Sequence, residues 1–182
     1  MRREYQDVLA FWFSESVKPL WFRSTPEFDN ELRERFLDTW EAASAGRLAH
    51  WKDSAEGALA LVIVLDQFPL NMFRGKAESF STEAQAREVA TEALAKGWDK
   101  TLDGAHLAFL FMPFMHSENI DDQDRAVALF TAAGLEDNLR FARHHRELIR
   151  RFGRFPHRNA ILGRTSSDEE LAYLASKEAF HG

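Results

Sequence analysis

At 182 residues, with 45% hydrophobic residues including 16 Phe and 5 Trp, the chain is long enough for a single domain, residues 1–182, that buries an aromatic-rich core without crosslinks. A formal charge of −6 argues against general nucleic-acid binding, and the lack of cysteine excludes disulfides, thiolate metal sites and cysteine nucleophiles, as suits a reducing cytoplasm. Near the start the longest apolar run, Val8 to Phe13, is too short for a signal-peptide core, and no run approaches the roughly 18 residues of a membrane span, so no membrane partner is expected.

Helix-start and helix-stop signals recur along the chain, while strand signals are nearly absent. Ser24-Thr25-Pro26-Glu27 opens a helix whose Phe28, Leu32, Phe36 and Trp40 repeat every four residues, and Gly46 closes it. Asp53-Ser54-Ala55-Glu56 opens the next, apolar on every side through Leu65 and therefore central, until Pro69 interrupts it. The run Leu61 to Leu65 has strand propensity, but the upstream capping box and the lack of a partner strand favour helix.

Thr82-Glu83-Ala84-Gln85 opens a helix ending near Gly97, and Asp99 to Met112 forms another that Pro113 breaks. Helices over Asp122 to Ala133 and Glu136 to Phe152 stop at Gly134 and Gly153, and a last one starts at the capping box Ser167-Asp168-Glu169-Glu170. The expected fold is all-α, with about eight or nine helices. No repeat at tetratricopeptide spacing is evident, and periodicity leaves the topology open.

Charge is unevenly placed. Arg140 to Arg164 holds eight Arg and one acid, Glu147, so this segment carries +7 while the rest carries −13. A helical projection of Glu136 to Phe152 sets Arg140, Arg143, His144, Glu147, Arg150 and Arg151 on one face and Phe141, Ala142, Leu148, Ile149 and Phe152 on the other. His145 falls on the apolar face, as a core histidine with one buried partner or as a site histidine inside a cavity. His144 and His145 point apart, so they cannot jointly clamp a metal.

Three segments have the residue types of a binding or catalytic site. In Arg151 to Asn159, Gly153 lets the chain turn and Pro156 fixes the backbone before His157, Arg158 and Asn159. Arg151, Arg154 and Arg158 either hold an anionic ligand with their planar forks or clamp acidic side chains of other helices. In Asp66 to Gly75, Asp66, Gln67, Asn71 and Arg74 end an apolar helix and must find polar partners, in a structural network or a site. In Met112 to Glu118, a proline break precedes His116, Ser117 and Glu118, residues suited to acid–base chemistry or to capping and pairing with an arginine. Without an orienting third group, His116 next to Ser117 does not make a nucleophile and its base. No metal-ligand spacing, phosphate loop or dinucleotide fingerprint is present, so neither metal nor cofactor is expected.

Together, Phe11-Trp12-Phe13, Leu65-Asp66-Gln67-Phe68-Pro69 with Asn71 and Arg74, Pro113-Phe114-Met115-His116-Ser117-Glu118, and Arg151 to Asn159 with Leu162-Gly163-Arg164 resemble a bacterial family classed as a domain of unknown function. The resemblance covers nearly the whole chain in matching order. It implies a tetratricopeptide-like α-α superhelix, and no established activity, substrate or cofactor. Asp66, Gln67, Asn71, Arg74, His116, Ser117, Glu118, His145, Arg151, Arg154, His157, Arg158 and Asn159 carry over as signature positions only. Leu70 and Phe111 depart from the family pattern, which more often has a basic residue and a tyrosine there.

The expected function is a helical domain with a polar pocket. Arg151, Arg154 and Arg158 attract an anionic group, with His157, Asn159, Asn71, Arg74, Gln67 and His145 as further lining, and His116, Glu118 and Asp66 are the catalytic candidates. Hydrolysis of, or proton transfer on, a small anionic molecule is the matching chemistry. The rival is a scaffold whose groove takes a peptide while the signature residues brace the helices. A third reading is a structural or oligomerising domain, and the sequence does not specify an oligomeric state.

Overall fold

The computed structural model describes residues 3–182, and among these residues every regular element is helical. The helices are α1 (Tyr5–Trp12), α2 (Pro26–Ser44), α3 (Ala55–Val62), α4 (Phe68–Met72), α5 (Glu83–Ala95), α6 (Gly104–Met115), α7 (Ile120–Ala133), α8 (Glu136–Phe152), α9 (Asn159–Leu162) and α10 (Asp168–Leu174). A π-helical turn, Ile63–Gln67, joins α3 to α4 in one rod. The described residues therefore form nine helical rods, in line with the expected eight or nine. They divide into two compact units: one comprises the chain up to Arg74 with Glu78–Pro113, the other Gly75–Ala77 with Phe114–Gly182.

The first unit is organised around the α3–α4 rod. Thr25 and Ser54 cap α2 and α3 as expected, accepting from the N–H groups of Phe28 and Gly57. Gly57 lies close under the Trp51 carbonyl, where a Cβ would have no room. Against the rod stand α1, α2 and α5. Phe11, Phe36 and Phe68 meet at ring separations of 5.0 Å (Phe11 to Phe36 and Phe36 to Phe68), and Trp12 lies 5.6 Å from both Phe68 and Phe109. Burying such rings, together with the aliphatic side chains of the rod, stabilises this unit.

Contrary to expectation, Pro69 does not interrupt the rod. A proline lacks an N–H and crowds the carbonyl one turn back, here that of Leu65. The chain widens to a π turn, with the Phe68 N–H bonding to the Ile63 carbonyl five residues earlier. Thr82 then supplies the donor that Pro69 lacks, its Oγ1 giving a 2.6 Å hydrogen bond to the Leu65 carbonyl while accepting from Trp40 Nε1 at 3.1 Å. In consequence Thr82, though at the N-cap position of α5, makes no side-chain capping bond.

The Ala55–Met72 rod also meets the length and mean hydropathy (1.2) of a membrane span, which the sequence reading of apolar runs overlooked. Within the structure 83% of it is buried, as a core helix requires. The expected break at Pro113 is likewise absent, since α6 runs on to Met115. Its start is later than Asp99, because Trp98–Thr101 forms a separate 3-10 turn.

In the second unit α7 packs on α8, and α10 packs on the 3-10 turn Pro156–Arg158. α7 begins at Ile120, ahead of the expected Asp122, because the Asn119 side chain accepts from the N–H groups of Asp121 and Asp122. Gln123 is fully buried and donates 2.7 Å bonds to the Met115 and Ser117 carbonyls, pinning the turn after α6. Leu148, Ile149, Phe155 and Tyr173 form a buried apolar cluster, and Phe114, Phe130 and Leu139 are buried as well. Of the predicted apolar face of α8, Ala142, Leu148 and Ile149 are buried, but Phe141 is 55% exposed. The buried stripe runs through Leu139, Ala142, His145, Leu148 and Ile149, and Phe141 falls outside it.

Candidate functional site

Each unit gathers its own signature side chains. In the first, Asp29 of α2 organises the polar end of α4. Its Oδ1 accepts from Ser24 Oγ (2.6 Å) and Asn71 Nδ2 (2.8 Å), and its Oδ2 from Arg74 Nε (2.8 Å). Desolvation would raise the Asp29 pKa, but the bonds from Arg74, Ser24 and Asn71 outweigh it and hold the carboxyl below the usual carboxylate range. Asn71 and Arg74 thus meet on an acid from another helix. Asp66 is wholly buried within the π turn and accepts from Gln67 Nε2 at 2.9 Å, while the same amide lies 3.5 Å from Met112 Sδ.

The second unit holds several of the rest in a lattice of arginine–carboxylate pairs. Arg154 grips Glu170 with Nε to Oε2 at 3.0 Å and Nη2 to Oε1 at 2.7 Å, and it donates to the Thr165 carbonyl. Glu170 also accepts from Asn159 Nδ2 (2.9 Å) and from the Ser167 N–H, completing the capping box of α10. Led by the Arg154 fork, these bonds hold the Glu170 carboxyl at about 2. Arg164 makes a second fork, both Nη atoms on the two oxygens of Glu118 at 2.9 Å, and its Nε donates to Asn159 Oδ1. The Phe155 N–H adds a 2.7 Å bond to Glu118. Although desolvation raises the Glu118 pKa, the bonds from Arg164 and Phe155 prevail and the carboxyl stays ionised. Arg158 is buried and donates to the His116 carbonyl at 3.0 Å. Ser117 is buried too, donating to Asp122 Oδ2 at 2.6 Å.

The remaining arginines of the basic segment lie outside this lattice. Arg140 and Arg150 pair with Asp137 and Glu147 of their own helix, Arg146 reaches Asp124 of α7, and Arg151 is exposed over the ring of Phe152. Such exposed pairs contribute little.

Beside the lattice lie two titratable rings of unusual character. His145 Nδ1 sits 2.7 Å from the Phe141 carbonyl one turn back, an arrangement that fixes the proton on Nδ1. Burial first, then the neighbouring His116, lowers its pKa to about 3. His157 is lowered to about 4 by burial and by the Arg158 guanidinium, with Glu118 opposing. Both imidazoles are therefore neutral at pH 7. The Nδ1 atom of His157 is buried and has no hydrogen-bond partner among the described residues. No group of three His, Cys, Asp or Glu among them is arranged to hold a metal ion.

Sequence reasoning passed over Asp29, Glu170, Tyr173 and Phe180. Asp29 and Glu170 sit in the first turns of helices, where acids are expected for reasons of capping and helix dipole alone. That ordinary role concealed their second one. For Tyr173 and Phe180, which contact His144, His145 and His157, the sequence carries no local signal.

The chain matches the bacterial protein of unknown function family DUF924 over residues 8–178, and it belongs to that family. It is also similar to the solved structure of a protein of unknown function from Agrobacterium tumefaciens, with 41% identity, a TM-score of 0.88, and coverage of 94% of this chain and 96% of that one. No curated protein matches it.

Proposed function

We propose that the second unit is a small-molecule-binding module centred on His157, for a ligand bearing an anionic group, and that the arginine–carboxylate lattice braces this site. The observation that supports this reading best is the His157 Nδ1 atom, buried and unpartnered in the positive field of Arg158. A buried polar atom without a partner is costly, and a ligand hydrogen bond would remove the cost. Arg154 and Arg164 are braces in this reading, because their forks already close on Glu170 and Glu118. Acid–base work, where the ligand undergoes any, falls to His116 or to the neutral imidazole of His157, since Glu118 stays ionised. The reading places the protein in the cytoplasm, on the strength of a cysteine-free chain.

A thermal-shift screen of phosphorylated and carboxylated metabolites tests it with native protein, His157→Ala and Arg154→Ala. A stabilising metabolite should lose its effect in His157→Ala and keep it in Arg154→Ala once the lower starting Tm is subtracted. If no metabolite stabilises the native protein, or if one stabilises His157→Ala equally, the site is not at His157.

The closure of both forks also favours a second reading, a tetratricopeptide-like α-α superhelix that offers a groove to a peptide while its signature residues brace the helices. Peptide-array binding that survives both substitutions, with a blank metabolite screen, would select it.

A further inference from the structure

The chain after α10 returns to the histidine cluster. Ser176–Gly182 contains no regular element, yet its Phe180 ring lies 4.8 Å from the His145 ring and 5.0 Å from the His157 ring, edge-on to the latter at 89°. Phe155 stands 5.4 Å from His145 and 5.6 Å from His157, so the two imidazoles and Phe155 border a slot in which Phe180 is the fourth ring. Two neutral imidazoles and a phenyl make an aromatic surface with polar edges. The Gly182 backbone rests against the same imidazole, where an added Cβ would come within 3.4 Å of His157 Cδ2.

The fastening of this strap is slight. Tyr173, on α10, accepts from the Phe180 N–H at 2.8 Å, lies 3.2 Å from His144 Nε2, and reaches the Glu178 carbonyl only at 3.5 Å. The Ala179 N–H reaches the Ser176 carbonyl at 3.4 Å. Ser176, Lys177, Glu178, His181 and Gly182 are all exposed. Ser176 anchors the root of the segment, its N–H and Oγ donating to the Tyr173 carbonyl at 2.9 and 2.6 Å. Beyond it the Phe180 ring, the packing of Ala179, one short hydrogen bond and two long ones hold the chain, which places its end among the parts of a fold that open most readily.

We infer that the strap Ser176–Gly182 is a displaceable plug: Phe180 occupies the slot between His145 and His157, and an aromatic ring of the ligand takes its place when the strap swings away. The inference rests on His157 being the ligand site, and it adds a ligand class, an aromatic ring carrying an anionic substituent. The ring fits the slot that Phe180 fills, and the substituent fits the positive field of Arg158.

Two measurements on the full chain test it, with native protein, Phe180→Ala and Tyr173→Phe. The first is the rate at which diethyl pyrocarbonate modifies each histidine, read by peptide mass spectrometry, with the exposed His50 as internal reference. Phe180→Ala should raise the His157 rate about tenfold or more, as when one aromatic side chain stops holding a closed form, and leave His50 unchanged. Tyr173→Phe keeps the Phe180 ring but removes its tether, so it should give a smaller rise. Unchanged His157 rates in both variants would overturn the plug.

The second measurement is binding of phenyl phosphate and benzoate, with inorganic phosphate as the ring-free control. Phe180→Ala should bind the aromatic probes several-fold more tightly than native protein and inorganic phosphate no better, with His157→Ala in the Phe180→Ala background abolishing the gain. Faster modification of His157 without tighter binding of either aromatic probe would overturn the ring-for-ring exchange. It would leave a non-aromatic anionic ligand at His157 to be decided by the metabolite screen.

Discussion

The two units achieve cohesion by different means. The first surrounds an apolar rod with tilted aromatic rings, and its ion pairs, such as Lys18 with Glu15, Arg35 with Glu31 and Arg74 with Asp29, each leave a partner exposed. The second sets beside its apolar residues two arginine forks, a buried Arg158 and two buried or half-buried neutral histidines. Aromatic burial is indifferent to pH and lacks direction. A lattice of charges is directional and specific, and it depends on every member holding its protonation state. The second unit is therefore where proton balance matters, and where a ligand could be recognised by more than shape.

The largest expected effect tests the aromatic side of this contrast. Phe68→Ala, at a fully buried ring, should destabilise the protein by about 3–5 kcal/mol in urea denaturation, as large-to-small substitutions of buried aromatics do. A cost below about 1 kcal/mol would mean that the aromatic cluster does not carry the first unit.

Next comes the lattice. Glu170→Ala strips Arg154, Asn159 and the Ser167 N–H of a shared acceptor, and a loss of about 2–3 kcal/mol is expected from these charge-assisted bonds. Native-state hydrogen exchange should place the loss in α10 and the Phe155–Asn159 turn, with first-unit amides unaffected. Spread over both units, the loss would erase the distinction drawn between them.

Acid should separate the units further. Because burial keeps His145 and His157 neutral in the folded chain, the unfolded chain binds protons below about pH 6.5 that the folded chain refuses. Stability should consequently fall from about pH 6.5 towards the folded values near 4 and 3, by up to about 1.4 kcal/mol per pH unit for each histidine. Glu170, ionised in the folded state down to about 2 against 4.5 ordinarily, adds a further loss as pH falls from 4.5 to 2. His157→Phe should flatten the first part of this profile. An unchanged slope would show that His157 is not held neutral by the fold.

The smaller effects concern single bonds. Thr82→Val leaves the Leu65 carbonyl without its donor beside Pro69, and about 1–2 kcal/mol should be lost, with faster exchange along the π turn. Least of all should matter Arg150→Ala, whose exposed pair with Glu147 spans 3.7 Å, at no more than about 0.5 kcal/mol.

What could be read along the chain follows the range of the interaction concerned. Thr25, Ser54 and Ser167 cap their helices as their neighbours predict, since the N–H groups they satisfy lie three residues away. His145 was placed on the apolar face by helical periodicity alone, and its carbonyl partner lies four residues back on the same helix. Thr82 misled because its hydroxyl, which could have capped α5, is claimed by a carbonyl 17 residues earlier. The same bond explains the wrongly expected break at Pro69. Phe141 misled in the opposite sense: a hydrophobic residue on a helix is buried only if a neighbour covers it.

By itself the sequence determined an all-helical chain, most helix starts and stops, and the three segments from which polar side chains would come. Capping, glycine stops and 3.6-residue periodicity act within a turn or two, so they are written locally. Tertiary structure decided which carboxylate each arginine grips, that a proline is tolerated in the central rod, and that the strap bearing Phe180 returns to His145 and His157. Those outcomes depend on residues 16 to 46 positions apart, and on which neighbour reaches a polar group first once water has been excluded.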